Sequence, residues 1–130
     1  MPASPSKEIA LTCFGEASND CDQGDDEKRA ITDVMYNRAA ADKKYWGGSD
    51  VLNVVKKDNQ FLGYGGDEYN KAMNNTSTLD DKSCDKLKAC IGAALNSDKN
   101  QTHDYNSFNK SSTKPNRNGV KICKHYFRTE

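Results

Sequence analysis

Two carboxylates four residues apart, Glu16 and Asp20, stand in the stretch "LTCFGEASND", directly after an apolar run from Leu11 to Phe14. A carboxyl group at the end of an apolar helix lies where a core gives way to a cleft. Desolvation there disfavours the charged form and raises the pKa, which suits a general acid working near neutral pH. Glu16 is thus the first candidate proton donor, and Asp20 is the acid best placed to assist it. The ordinary alternative is an exposed glutamate at a helix end. A second candidate is "NQFLGY", residues 59 to 64. Its glycine allows close backbone approach, an amide such as Gln60 can bind sugar hydroxyls and acetamides, and a ring such as Tyr64 can stack on a sugar face. Phe61 reads as the buried anchor of that turn. His103 and His125 lie far apart without a nucleophile motif and make a poor triad. Cys13 with one of them is the rival nucleophile, although a cysteine within an apolar helix is more often structural.

These groups need mounts. Ser4 and Pro5 read as the opening of a helix that runs to about Gly15. Residues 17 to 25 form an acidic loop, and Asp25 or Asp26 caps a second helix. There Ile31, Val34, Met35 and Arg38 follow helical spacing as far as about Ala41. "YWGGSD" is a turn, with Ser49 capping a short helix through Lys57. A glycine-rich loop and a weak helix from Asp67 to Met73 come next, then a polar connector over 74 to 80. The strongest later helix spans Asp81 to Asn96, with Cys84, Leu87, Ile91 and Leu95 as its apolar stripe. "HDYNSFN" and "GVKICKHYF" each alternate like strands and are joined by loop chemistry, which predicts a terminal β-hairpin. The expected fold is α+β, mainly helical, in a single domain covering residues 1 to 130.

Composition narrows the function classes. The chain has 130 residues, 35% of them apolar, with 19 basic and 19 acidic side chains. That balance argues against a nucleic-acid partner, which calls for a basic excess. The charge is segregated, however: residues 16 to 27 carry acids alone, and the stretch from Lys110 to Arg128 carries bases without an acid. No run is apolar enough to span a membrane, so no membrane insertion is expected. "DCDQGDDE" has its glycine at the wrong place for a calcium loop, and neither C-x-x-C nor H-x-x-x-H spacing occurs, so neither a metal nor any other cofactor is expected. The five cysteines, Cys13, Cys21, Cys84, Cys90 and Cys123, suggest an oxidising destination. The expected pairs are Cys13 with Cys21 and one of Cys84 or Cys90 with Cys123, while Cys84 and Cys90 lie on different faces of one helix.

Several of these pieces follow a familiar order. Gly15-Glu16-Ala17-Ser18, Asn37-Arg38, Gln60-Phe61, Thr102-His103 with Tyr105, and His125-Tyr126-Phe127 together resemble the cell-wall hydrolase family of spore cortex-lytic enzymes and related phage and bacterial proteins. The resemblance spans nearly the whole chain. The sequence departs from the family in carrying Asp26-Glu27-Lys28 where it has Glu-Gly-Gln, in a longer loop containing Cys21, and in the extra Asp104. What the resemblance implies is a small lysozyme-like domain that cleaves the β-1,4 bonds of peptidoglycan glycan strands. Glu16 would be the catalytic acid and Asp20 the second acid, with Gln60, Tyr64, His103 and Tyr105 binding the sugars. "MPASPSKEIA" lacks the basic start and apolar centre of an export signal. Cysteine content and a wall substrate together then suggest delivery by another route, such as a type VI secretion effector acting in a rival bacterium's periplasm. Its producer would hold a periplasmic immunity protein that blocks the groove. The alternatives are a phage lysin, a cysteine-dependent peptidoglycan amidase or peptidase using Cys13, and a wall-binding module without catalysis.

Overall fold

The computed structural model describes residues 4–18, 25–57, 60–74, 76–110 and 119–130. Among these residues, five α-helices precede a small antiparallel sheet: α1 (Ser4–Glu16), α2 (Asp26–Ala41), α3 (Val51–Lys56), α4 (Asp67–Asn74), α5 (Asp81–Lys99), then β1 (Ser107–Lys110), β2 (Val120–Ile122) and β3 (His125–Arg128). Single 3-10 turns lie at Lys44–Trp46 and Thr76–Thr78. The mainly helical α+β class is the one read from the sequence.

Helix α1 is the axis of the domain. Ile9, Ala10, Leu11, Thr12, Cys13 and Phe14 are all buried, so the helix is enclosed on every side, as an apolar run without a polar face requires. It packs against α2, α3, α4 and α5. The buried Thr12 hydroxyl donates to the Glu8 carbonyl one turn back at 2.8 Å. Helix α2 buries the Ile31, Val34, Met35 and Arg38 stripe as expected. Asp25 occupies its N-cap position, though without a side-chain cap bond.

Three local expectations are corrected. Asp50, rather than Ser49, caps α3, with its carboxylate accepting the Leu52 N–H at 2.9 Å. Helix α5 runs three residues further, to Lys99, and turns a different face inward. Its buried residues are Cys90, Ala93, Ala94 and Ser97, while Cys84, Leu87 and Ile91 are half-buried and Leu95 is exposed. Small side chains let α5 approach α1 and α2 closely, and the bulkier stripe is displaced to the rim. The terminal hairpin is in fact a three-stranded sheet in the order β1-β3-β2. "GVKICKHYF" is split by a two-residue turn at Cys123-Lys124, with Cys123 at φ 56°, so that Ile122 pairs with His125. Residues 103–106 lead into β1 without belonging to a strand, with the Asn106 N–H donating to the Arg128 carbonyl at 3.0 Å. On β3, His125 and Phe127 face the core, and Phe127 pairs with Phe108 of β1.

The cysteine pairing is also corrected. Cys13, Cys84 and Cys90 carry free thiols, whereas Cys123 is disulfide-bonded. Cys13 and Cys90 are buried where α1 meets α5, next to each other. Alkylation followed by peptide mapping is expected to modify Cys84 in the native protein, Cys13 and Cys90 only in denaturant, and Cys123 only after reduction. Native labelling of Cys13 would contradict this packing.

Candidate functional site

Glu16 is the last residue of α1 and is half-buried. What holds it is a contact between two glycines. A Cβ on Gly15 would lie 2.9 Å from the Gly63 Cα, and one on Gly63 would lie 2.7 Å from the Thr12 carbonyl oxygen and 2.9 Å from the Glu16 Cγ. The 60–66 loop therefore rests its backbone on the end of α1, and the Gly63 N–H donates to Glu16 Oε1 at 3.3 Å. The glycine read as an approach to ligand is used to approach the helix carrying the acid.

The chain leaving α1 is fixed just beyond Glu16. Ser18 donates through its backbone N–H and its hydroxyl to the two carboxylate oxygens of Glu27, each at 2.7 Å. Glu27 is fully buried at the start of α2. It also accepts from His125 Nδ1 at 2.9 Å and from the Lys124 N–H at 3.4 Å. Burial alone would raise its pKa, but the hydrogen bonds from His125 and Ser18 and the positive field of His125 outweigh it and hold the carboxyl below its usual range. Glu27 thus ties the segment after Glu16 to α2 and β3. Sequence reasoning missed it, treating Asp26-Glu27-Lys28 only as a departure from a motif. The available signal was spacing: Glu27, Ile31, Val34 and Arg38 share one buried face, so an acid there had to be paired.

The end of α2 forms a second anchor. Asn37 Nδ2 donates to the carbonyls of His103 and Tyr105, both at 2.8 Å. Arg38 Nε donates to the Asn106 carbonyl at 2.7 Å, and its guanidinium lies 5.0 Å from the Trp46 ring centre and 5.4 Å from that of Phe61. A further Arg38 nitrogen donates to Gln60 Oε1 at 2.9 Å. That bond orients the amide, directing the oxygen of Gln60 at the protein and leaving its NH2 as the donor end. Phe61 is buried, as expected of an anchor.

His103 is gripped from two sides. Nδ1 lies 2.8 Å from Asp33 Oδ2 and Nε2 lies 3.0 Å from Asp26 Oδ1. Tyr105 stacks on the imidazole with ring centres 5.2 Å apart. Both rings line an open cavity of about 470 Å³, together with Asn37, Gln101, Thr102 and Asp104. Tyr64 instead sits edge-on against Tyr69 at 5.1 Å, and the Tyr69 hydroxyl bonds to Glu8. The structure therefore brings Gln60 and Tyr64 to the loop that contacts Glu16, and groups His103 with Tyr105 around a cavity that those three residues do not line. Asp20 and Cys21 lie outside the described residues.

Cys13 is poorly set for nucleophilic work. It is fully buried, its thiol faces the Lys28 carbonyl at 3.9 Å, and burial together with the neighbouring Cys90 pushes its pKa well up. Both histidines are engaged by carboxylates instead. Among the described residues, no group of three or more His, Cys, Asp and Glu side chains is placed to hold a metal ion, and no helix is long and apolar enough to cross a membrane. No protein-family model, curated protein or solved structure matches the chain.

Two outcomes are expected. The Glu27 carboxyl titrates below its unfolded value near 4.5, so its stabilisation is complete above that pH and is lost as pH falls through the depressed folded value. Glu27→Gln should lower stability at neutral pH by about 3 kcal/mol and flatten the acid decline, read by urea unfolding between about pH 3 and 7. Gly63→Ala should destabilise by about 1–3 kcal/mol through overpacking and, because it lifts the loop from Glu16, should lower any Glu16-dependent activity as well. An unchanged unfolding midpoint in Gly63→Ala would show that the loop does not rest on α1.

Proposed function

We propose that the chain is a peptidoglycan glycosidase of the lysozyme-like kind, cleaving β-1,4 bonds of the glycan backbone with Glu16 as the general acid. The observation that carries this reading is the mounting of Glu16: half-buried at the end of an enclosed helix, touched by a glycine loop, and followed at once by a segment locked through Ser18 to Glu27. An acid catalyst must be held still, and a half-buried helix end on a helix whose body is enclosed supplies that rigidity. The ordered motifs shared with cortex-lytic enzymes support the same substrate.

In this mechanism Glu16 protonates the glycosidic oxygen while an oxocarbenium-like centre develops at the anomeric carbon. Either water or the 6-hydroxyl of the muramic residue can complete the reaction, giving a reducing end or a 1,6-anhydro end. The NH2 of Gln60 and the ring of Tyr105 are the groups that would orient the N-acetyl sugars. The disulfide at Cys123 supports an oxidising place of action. That agrees with an effector delivered to the periplasm of a target bacterium, with an immunity protein protecting the producer.

Purified protein should release muropeptides from sacculi. Glu16→Gln, which keeps the shape but removes the transferable proton, should reduce release by at least about 100-fold with an unchanged circular dichroism spectrum. Mass spectrometry would show shortened glycans rather than free peptide stems. Undiminished release by the Gln variant would discard Glu16 as the acid, and peptide stems as the sole product would discard the glycosidase.

A further inference from the structure

Independently of the glycosidase reading, we propose that Cys13 and Cys90 form a disulfide joining α1 to α5 when the chain folds in the presence of an oxidising disulfide, the buried dithiol being its reduced state. Both side chains are 0% exposed and belong to the apolar core. They stand on different helices, and their side chains are hydrogen-bonded to each other where α1 packs on α5. A disulfide asks for Cα atoms about 4.4–6.8 Å apart, and each sulfur is two bonds from its own Cα. Ala93 and Ala94, buried one turn further along α5, permit the close helix approach that such a range requires. Cys84 is placed differently. It is half-buried, and its thiol faces the Leu79 carbonyl ahead of α5 at 3.8 Å.

Packing alone asks for less than this arrangement. A small apolar side chain at either position would fill the same space, and one buried cysteine is ordinarily just that. Two facing thiols add the capacity to give up two electrons together. Oxidation already belongs to the chemistry of this chain, since Cys123 is held in a disulfide. An oxidant that makes that bond during folding meets the second pair in the same chain. Burial and the neighbouring Cys90 push the Cys13 thiol pKa well up, against the opposing fields of Lys28 and Lys86. The folded dithiol is therefore slow to react, and exchange takes place before α5 docks on α1, while both sulfurs still meet water.

In the first step one cysteine loses its proton to water, and its thiolate attacks a sulfur of the oxidant disulfide. One oxidant thiolate leaves and takes up a proton. The protein now carries a mixed disulfide, whose bulky group has no room at a core position without exposure. Docking of α5 therefore waits for the second cysteine. Its thiolate attacks the protein sulfur of the mixed disulfide and displaces the group as a second thiol. Two hydrogens have left the protein and the oxidant has become two thiols. The new bond closes a loop of roughly 75 residues and pins the last turn of α1, where the Cys13 carbonyl accepts the Ala17 N–H at 2.8 Å.

The experiment is refolding of the reduced, denatured protein in a mixture of oxidised and reduced glutathione, followed by N-ethylmaleimide in denaturant and peptide mapping without reduction. A peptide cross-linked through Cys13 and Cys90 should be recovered, with Cys84 labelled. The dithiol protein, by contrast, takes label at both core positions once denatured. Adding dithiothreitol should lower the unfolding temperature of the refolded wild type by about 10 °C more than that of a Cys13→Ala, Cys90→Ala double variant. That comparison removes the contribution of the Cys123 bond, and the mapping needs no variant if the double substitution fails to fold. Separate labelling of Cys13 and Cys90 in the refolded protein, glutathione adducts on either, a bridge from either to Cys84, or equal falls in unfolding temperature would each overturn the proposal.

Discussion

Two carboxylates on α2, Glu27 and Asp33, are taken wholly out of water, and the rest of the structure is arranged around keeping them paired. An ionised carboxylate without partners would not survive in such surroundings, because desolvation costs several kcal/mol. Each is therefore met by a histidine Nδ1, a backbone N–H and a serine hydroxyl. Ser18 and His125 converge on Glu27, and Ser97 and His103 converge on Asp33. The partners come from α1's exit, from α5, from the segment before β1 and from β3. Four separate parts of the chain are thereby registered against one helix by bonds that tolerate little error in distance or direction. Apolar packing alone would bring the same elements together with a looser register.

The position of α2 connects these buried pairs to the candidate site residues. Its first turn holds Asp26 toward solvent and Glu27 toward the core, so neighbouring acids meet opposite surroundings from their orientation alone. Its last turn carries Asn37 and Arg38, which grip the 103–106 carbonyls and Gln60. The helix thus holds a side chain or backbone group from every segment that contributes a candidate site residue, with Glu16 reached through Ser18. The glycine contact at Gly15 and Gly63 completes the mount from the other side.

Much of this was legible in the residues. The first two helices could be placed from an apolar run, capping chemistry and the Ile31, Val34, Met35 and Arg38 spacing, and Phe61 was recognisable as an anchor. The inward face of α5 was not, because hydropathy favours Leu87, Ile91 and Leu95 over Ala93, Ala94 and Ser97. Close helix approach rewards small volume, which a hydropathy pattern does not register. The split of "GVKICKHYF" into two strands was hidden because Cys123 adopts a left-handed conformation that cysteine seldom signals. The cysteine pairs failed for a related reason: loop spacing says nothing of Cys13 and Cys90 facing each other across a helix pair. His103 and His125 were weighed as a triad with each other, whereas each has its own buried acid. Their partners lie 70 and 98 residues away, distances at which sequence carries no local mark.

That last separation bears on how the protein comes into being. A nascent chain that has emerged only as far as α5 possesses Glu27 but not His125, so its α2 carries a carboxylate that cannot yet enter the core without penalty. Contacts spanning most of a chain form late, after the entropy of closing so large a loop has been met. The joint behind Glu16 therefore tightens only once β3 has left the ribosome and folded back. An unfinished polypeptide would therefore carry Glu16 on a helix end whose onward segment is not yet fixed.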